Sequence, residues 1–259
     1  METKADDEGS AVKTARVAMV LLLAICLAVL GACGGGEADV TARDISHEEL
    51  ALMVLPQEEF GAEYAELELD EDISGFVSNE EAIEDDHDGD DERRDIERFG
   101  RVNGYAEVYS SPPGGQAGPS ALSEVDLMVG TGVELLRDSE GASDRLEDEI
   151  GDYEGELREE AGAEDAQEVD LRLFSPGGIG DEAIGLQVHL PLPLDGGLRL
   201  FYDVTHVSFR RGRLVGAVVV GQFDERDRRD EVAALAHKLD ERIQAVLRGH
   251  ITPTRATTP

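Results

Sequence analysis

The chain has 259 residues, 58 acidic and 23 basic, for a formal charge of −35 with 41% apolar residues. That apolar share argues against a wholly disordered acidic polymer and suits a core in one or two domains. The acidic excess argues against nucleic acid as a partner, because phosphates would be repelled rather than neutralised. The charge is uneven: residues 34–170 carry 43 acidic and 8 basic side chains, whereas residues 171–259 carry 11 and 12. The first region is therefore either a solvated acidic surface or a face for cations or a basic partner.

In chain order, the first feature is an uncharged run over residues 17–30, Val-Ala-Met-Val-Leu-Leu-Leu-Ala-Ile-Cys-Leu-Ala-Val-Leu. Fourteen residues are short for a membrane span of about 20 but suit the apolar core of a secretory signal. Lys13 and Arg16 supply its positive flank, and Leu30-Gly31-Ala32-Cys33 follows, then Gly34-Gly35-Gly36. This segment resembles the lipobox of bacterial lipoproteins, Leu-small-small-Cys. The resemblance implies cleavage between Ala32 and Cys33, a lipid such as palmitate on the Cys33 sulfur, and a chain held at the extracytoplasmic face of the cell membrane. Two or more acyl chains are what stable anchoring needs. The long leader with Asp6, Asp7 and Glu8 departs from the pattern. The only other cysteine, Cys26, lies in the part to be removed, so the exported chain has no disulfide to form.

Residues 33–44 then read as the lipidated cysteine and a flexible tether with a reach of roughly 20 Å. Ser46 with Glu49 forms a capping box, Ile45 is placed to staple onto Leu50, and Pro56 stops that helix. Ser78 with Glu81 is a second capping box, and a short helix is predicted over Asp91–Phe99, ending at Gly100. Residues 45–100 thus read as an acidic, short-helical and partly disordered segment.

The pattern changes to strands at 101–110 and 124–137, around a Pro/Gly-rich loop. A helix follows, with Ala142, Leu146, Ile150, Tyr153 and Leu157 on one face. Strands are predicted near 168–174, 183–193, 198–209 and 214–221, with turns at Asp195-Gly196-Gly197 and Arg211-Gly212. A last helix at about 225–248 lines up Val232, Leu235, Leu239, Ile243 and Val246 and stops at Gly249. These elements predict an α+β domain over 101–249, an antiparallel sheet with two amphipathic helices packed on one face, preceded by the short N-terminal helices and followed by a disordered tail at 250–259. Gly180-Asp181-Glu182-Ala183, Phe209-Arg210-Arg211-Gly212 and the closing helix make the second half similar to small extracytoplasmic sensor-type domains of actinobacterial kinases and lipoproteins. That resemblance implies a ligand-binding or sensing module and carries no catalytic residues.

Catalytic and metal signatures are sparse. His47-Glu48-Glu49-Leu50-Ala51 lacks the second histidine of a zinc-protease helix. Gly178-Ile179-Gly180-Asp181-Glu182-Ala183 imitates a dinucleotide loop by letter, but a predicted strand follows where a helix is needed. There is no Gly-x-Ser-x-Gly elbow. His189 and His206 fall on adjacent predicted strands and read as sheet packing. Residues 84–95 place Glu84, Asp86, Asp88, Asp90 and Glu92 around Gly89 in the alternation of a calcium loop, although Asp95 stands where a bidentate Glu belongs. The expectation is a lipid-anchored binding, sensing or envelope-interaction module. Its partners are the membrane, through lipid on Cys33, and a small molecule or envelope protein, with no cofactor. An exported hydrolase using carboxylates or a divalent cation is the alternative, and calcium-dependent assembly through residues 84–95 a further one.

Overall fold

A computed structural model of the chain describes residues 43–85, 89–112, 127–148, 169–194, 198–223 and 226–253. Helix α1 (His47–Met53) begins where its capping box places it: the Glu49 N–H donates to Ser46 Oγ at 3.3 Å, and the Ser46 N–H donates to the Glu49 carboxylate at 3.0 Å. Two single 3-10 turns follow at Gln57–Glu59 and Ala62–Tyr64. The second capping box, Ser78 with Glu81, opens α2 (Asn79–Asp85), and α3 (Gly89–Phe99) comes next. Gly100 ends α3 with φ of +69°, a left-handed stop that suits glycine.

Eight strands form one antiparallel sheet: β1 (Glu68–Leu69), β2 (Gly75–Val77), β3 (Arg101–Ser110), β4 (Leu127–Leu136), β5 (Asp170–Phe174), β6 (Glu182–Leu194), β7 (Leu198–Arg211) and β8 (Leu214–Gln222). Their order is β1-β3-β4-β8-β7-β6-β5, with β2 also pairing along β3. Helix α4 covers residues 139–148, capped by the Asp138 side chain, which accepts from Gly141 N at 2.8 Å. Helix α5 (Arg229–Leu247) closes the fold. The expected α+β class and antiparallel sheet are present, and the strands lie within about three residues of their predicted ranges. The residues Asp195-Gly196-Gly197 lie outside the described residues, but Leu194 pairs with Leu198 across them.

The helices sit on both faces of the sheet, which corrects the expectation of one. On β8, Leu214, Val218 and Val220 join a core with Val207, Phe209 and the α5 residues Val232, Leu235, Leu239, Ile243 and Val246. Their neighbours point the other way: Val215 packs with Leu136, Phe99 and the α4 residues Ala142 and Leu146. The reason is visible in β8 itself, Leu-Val-Gly-Ala-Val-Val-Val-Gly-Gln, an almost unbroken apolar run of the kind a strand buried on both faces carries. Helix periodicity tells that α4 and α5 each bury a stripe, not which face receives it. Ile150, Tyr153 and Leu157 lie outside the described residues. Glycines make room for aromatic rings across the strands: a Cβ on Gly216 would come within 2.6 Å of Phe209, and one on Gly185 within 2.3 Å of Phe174.

Residue 101 is not a boundary in this packing. Ile45, Leu50, Met53, Val54, Leu55, Phe60, Tyr64 and Leu67 belong to the same core as α5, and β1 and β2 extend the sheet. The docking is polar as well as apolar. Arg228, just before α5, is 2% exposed; it donates to Glu63 at 2.6 Å, to Tyr64 Oη at 3.1 Å, to Glu231 at 3.0 Å and to the Gln222 amide oxygen. Burial alone would lower the Arg228 pKa, but the Glu63 hydrogen bond and the nearby Glu231 charge outweigh it and hold it up. The same bond from Arg228 pulls the Glu63 carboxyl down. Arg242 donates to the Leu52 carbonyl and to Glu59, at 2.8 and 2.9 Å.

His206, on the α4 face of β7, is 2% exposed with Nε2 3.1 Å from Ser208 Oγ. Burial pushes its pKa from 6.5 down to about 3. Between those values the unfolded chain takes up a proton that the folded chain refuses, so stability is full above pH 6.5 and is lost as pH falls. The limiting slope is about 1.4 kcal/mol per pH unit. Carboxylates act lower, below about pH 4.5. Urea titrations at pH 7.0, 6.0 and 5.0 are expected to show this loss in the wild type and a flatter profile for His206→Gln.

Candidate functional site

The sheet face under α5 is apolar only as far as the helix covers it. Register continues the same face outward in two polar rows. Asp170 lies beside His189, His189 beside Asp203, and Asp203 beside Gln222; one row nearer the core, Arg172 lies beside Gln187 and Gln187 beside Thr205. Alternation along each strand makes this work: on β6, Gln187 and His189 face this side while Leu186, Val188 and Leu190 face the other core. The residues flanking Arg228 complete the site. Asp170, Arg172, Gln187, His189 and Asp203 line a cleft of about 400 Å³ with Asp227 and Arg229. That volume lies within the range of about 300–1,000 Å³ typical of small-molecule sites.

Three features define its chemistry. His189 Nδ1 is 2.8 Å from Asp203 Oδ1, and its ring stacks on Phe201 with centroids 4.3 Å apart and planes at 12°. This fixes the imidazole on two sides and turns Nε2, on the other edge of the ring, away from Asp203. Asp203 is 8% exposed and its Oδ2 is buried with no hydrogen-bond partner among the described residues. An oxygen left in that state costs about 1–3 kcal/mol, which is a reason to expect an occupant or ordered water beside it. Finally, each guanidinium of the rim already has its carboxylate. Arg172 pairs with Asp170, and Arg229 pairs with Asp227 through contacts of 2.9 and 2.5 Å. The Arg229 side chain, with its own backbone N–H, holds the Asp227 carboxyl down at about 2.

The cleft wall is tied to the core through Arg228. Its bond to the Gln222 side chain fixes the residue beside Asp203, and Gln222 in turn donates to the Arg226 carbonyl at 2.9 Å. Asp227 and Arg229 are consequently held on either side of a buried anchor.

The residues singled out from the sequence fare differently. Cys33 and the apolar run 17–30 lie outside the described residues; among those described, no helix is long and apolar enough to cross a membrane. Of the calcium arrangement, Gly89–Asp95 are helical, where a calcium-binding loop needs a turn around Gly89. Asp86, His87 and Asp88 lie outside the described residues, and among those described no three His, Cys, Asp or Glu side chains are grouped to hold a metal. His189 and His206 are on adjacent strands but opposite faces, one in the cleft and one in the core. Gly178 and Gly180, with φ of +76° and +58°, form a turn into β6. His47 stacks on Phe76 at 3.9 Å.

Sequence reading missed Gln187, Asp203, Arg172 and Arg229. One signal was available: Asp203 is a carboxylate between Tyr202 and Val204 in a central strand, an expensive place for a charge without a purpose.

No protein-family model and no curated protein matches the chain. Among solved structures it is similar to the extracellular domain of PknH from Mycobacterium tuberculosis, at 10% sequence identity and a TM-score of 0.42, over 77% of this chain and 98% of that one.

Proposed function

We propose that the chain is a lipid-anchored, extracytoplasmic binding module that takes a small polar molecule in the cleft between β5, β6, β7 and the first turn of α5. The observation that carries the binding part is the cleft itself. It gathers side chains from three strands and a helix around about 400 Å³, including a buried carboxylate oxygen with no partner among the described residues. The anchoring part rests on the sequence: the apolar run 17–30, Leu30-Gly31-Ala32-Cys33 and the glycine tether beyond it. Lipid on Cys33 would keep the domain at the outer face of the membrane, where anionic headgroups repel its acidic segment.

A second reading, an exported hydrolase, is favoured by the His189–Asp203 pair. A carboxylate on Nδ1 orients an imidazole so that Nε2 can take a proton from water, with Arg172 and Arg229 near any charge that develops.

Cys33→Ala is expected to abolish incorporation of labelled palmitate and to release the chain from the membrane fraction; retained label and membrane association would overturn the anchor. In a thermal-shift screen of small polar compounds, a true cleft ligand is expected to raise the melting temperature of the wild type and not that of His189→Ala. A hit that is unchanged by the protein supports binding, and one that is hydrolysed supports the second reading. Hits indifferent to His189→Ala would overturn the cleft as the binding site.

A further inference from the structure

The hydrogen-bonding groups left open in the cleft are of mixed kind. Among the described residues nothing bonds the side-chain amide of Gln187, which offers two donors and an acceptor. His189 uses Nδ1 on Asp203 and leaves Nε2, a donor or an acceptor according to its tautomer. Asp203, which lines the cleft, keeps Oδ2 as a buried acceptor with no partner among the described residues. The formal charges, by contrast, are largely consumed. Each guanidinium of the rim is closed on its own carboxylate, Arg172 on Asp170 and Arg229 on Asp227. An anionic ligand would have to open those pairs against three carboxylates, and a cationic one would meet two guanidiniums. An uncharged ligand disturbs neither pair.

We propose that the cleft is a carbohydrate site, taking a neutral, hydroxyl-rich ligand on Gln187, His189 and Asp203 between two pre-formed Asp–Arg pairs. A hydroxyl donates and accepts at one atom, so it suits an amide, an imidazole of either tautomer and a bare carboxylate oxygen with one functional group. Adjacent hydroxyls also suit the rim, where a carboxylate acceptor and a guanidinium donor lie side by side in each ion pair. The His189–Phe201 stack adds a flat, rigid wall, and it sets the imidazole's position before the ligand arrives. The proposal rests on the cleft being the binding site.

The test uses the full chain in a detergent without a sugar headgroup. A neutral glycan array is followed by calorimetry with the retained glycan, and inorganic phosphate, glycine and a blocked dipeptide amide serve as the anionic, zwitterionic and amide probes. Expected is binding of a neutral glycan that does not weaken as salt is raised and that Gln187→Ala weakens about tenfold. Glycans inert, with phosphate, glycine or the dipeptide bound and that binding weakened by Gln187→Ala, would overturn the carbohydrate class and leave the cleft as the site. No binding by any probe, or binding indifferent to Gln187→Ala, would overturn both. Circular dichroism of the variant, expected to match the wild type because Gln187 bonds no described side chain, guards against a folding artefact.

Discussion

Arg228 carries a full positive charge with its side chain 2% exposed, and its partners join the N-terminal segment, β8 and α5. A buried charge is tolerable only when it is paired and its hydrogen-bonding atoms are used. The guanidinium fork meets that demand with Glu63, Tyr64, Glu231 and Gln222, drawn from the N-terminal segment, α5 and β8. A lysine could supply the charge but not the planar set of donors. Because Asp227 and Arg229 flank this anchor in the chain, fixing Arg228 also fixes two walls of the cleft. Stability and site geometry are thus two consequences of one buried group.

The uneven charge of the sequence acquires a structural meaning from the same contacts. The acidic region supplies Glu59 and Glu63, and the more basic C-terminal region supplies Arg226, Arg228 and Arg242 to meet them. The exposed Arg226–Glu63 pair contributes little by itself, but together with the buried Arg228 it registers the N-terminal segment against α5, where Leu50, Met53, Leu55 and Tyr64 add apolar burial. The acidic region is therefore partly a docking partner for the rest of the chain rather than wholly a solvated surface.

What could be read without coordinates was local. Both capping boxes, the stops at Gly100 and Gly249 and six of the strands follow from short-range rules, because a serine three residues before a glutamate or a glycine after a last turn acts on its own neighbours. What could not be read was pairing at long range. Arg228 looks like one of several arginines in Arg226-Asp227-Arg228-Arg229, and nothing in that run says which side chain is buried. The short β1 and β2 are too brief to show a period. The cleft depends on register: His189 meets Asp203 only because β6 and β7 pair with Leu194 opposite Leu198, and a shift of one residue would put the two side chains on opposite faces. The two helices were predicted correctly as amphipathic elements and misplaced on one face because amphipathicity carries no address.

The N-terminal segment and the cleft wall form one unit joined by Arg228. Hydrogen exchange followed by mass spectrometry on the wild type and on Arg228→Lys tests it most directly, since lysine keeps the charge and loses the fork. Protection is expected to fall together in residues 45–69 and in the first turn of α5, while β3 and β4 stay close to wild type. Loss of protection in only one of those two regions, or in neither, would contradict it.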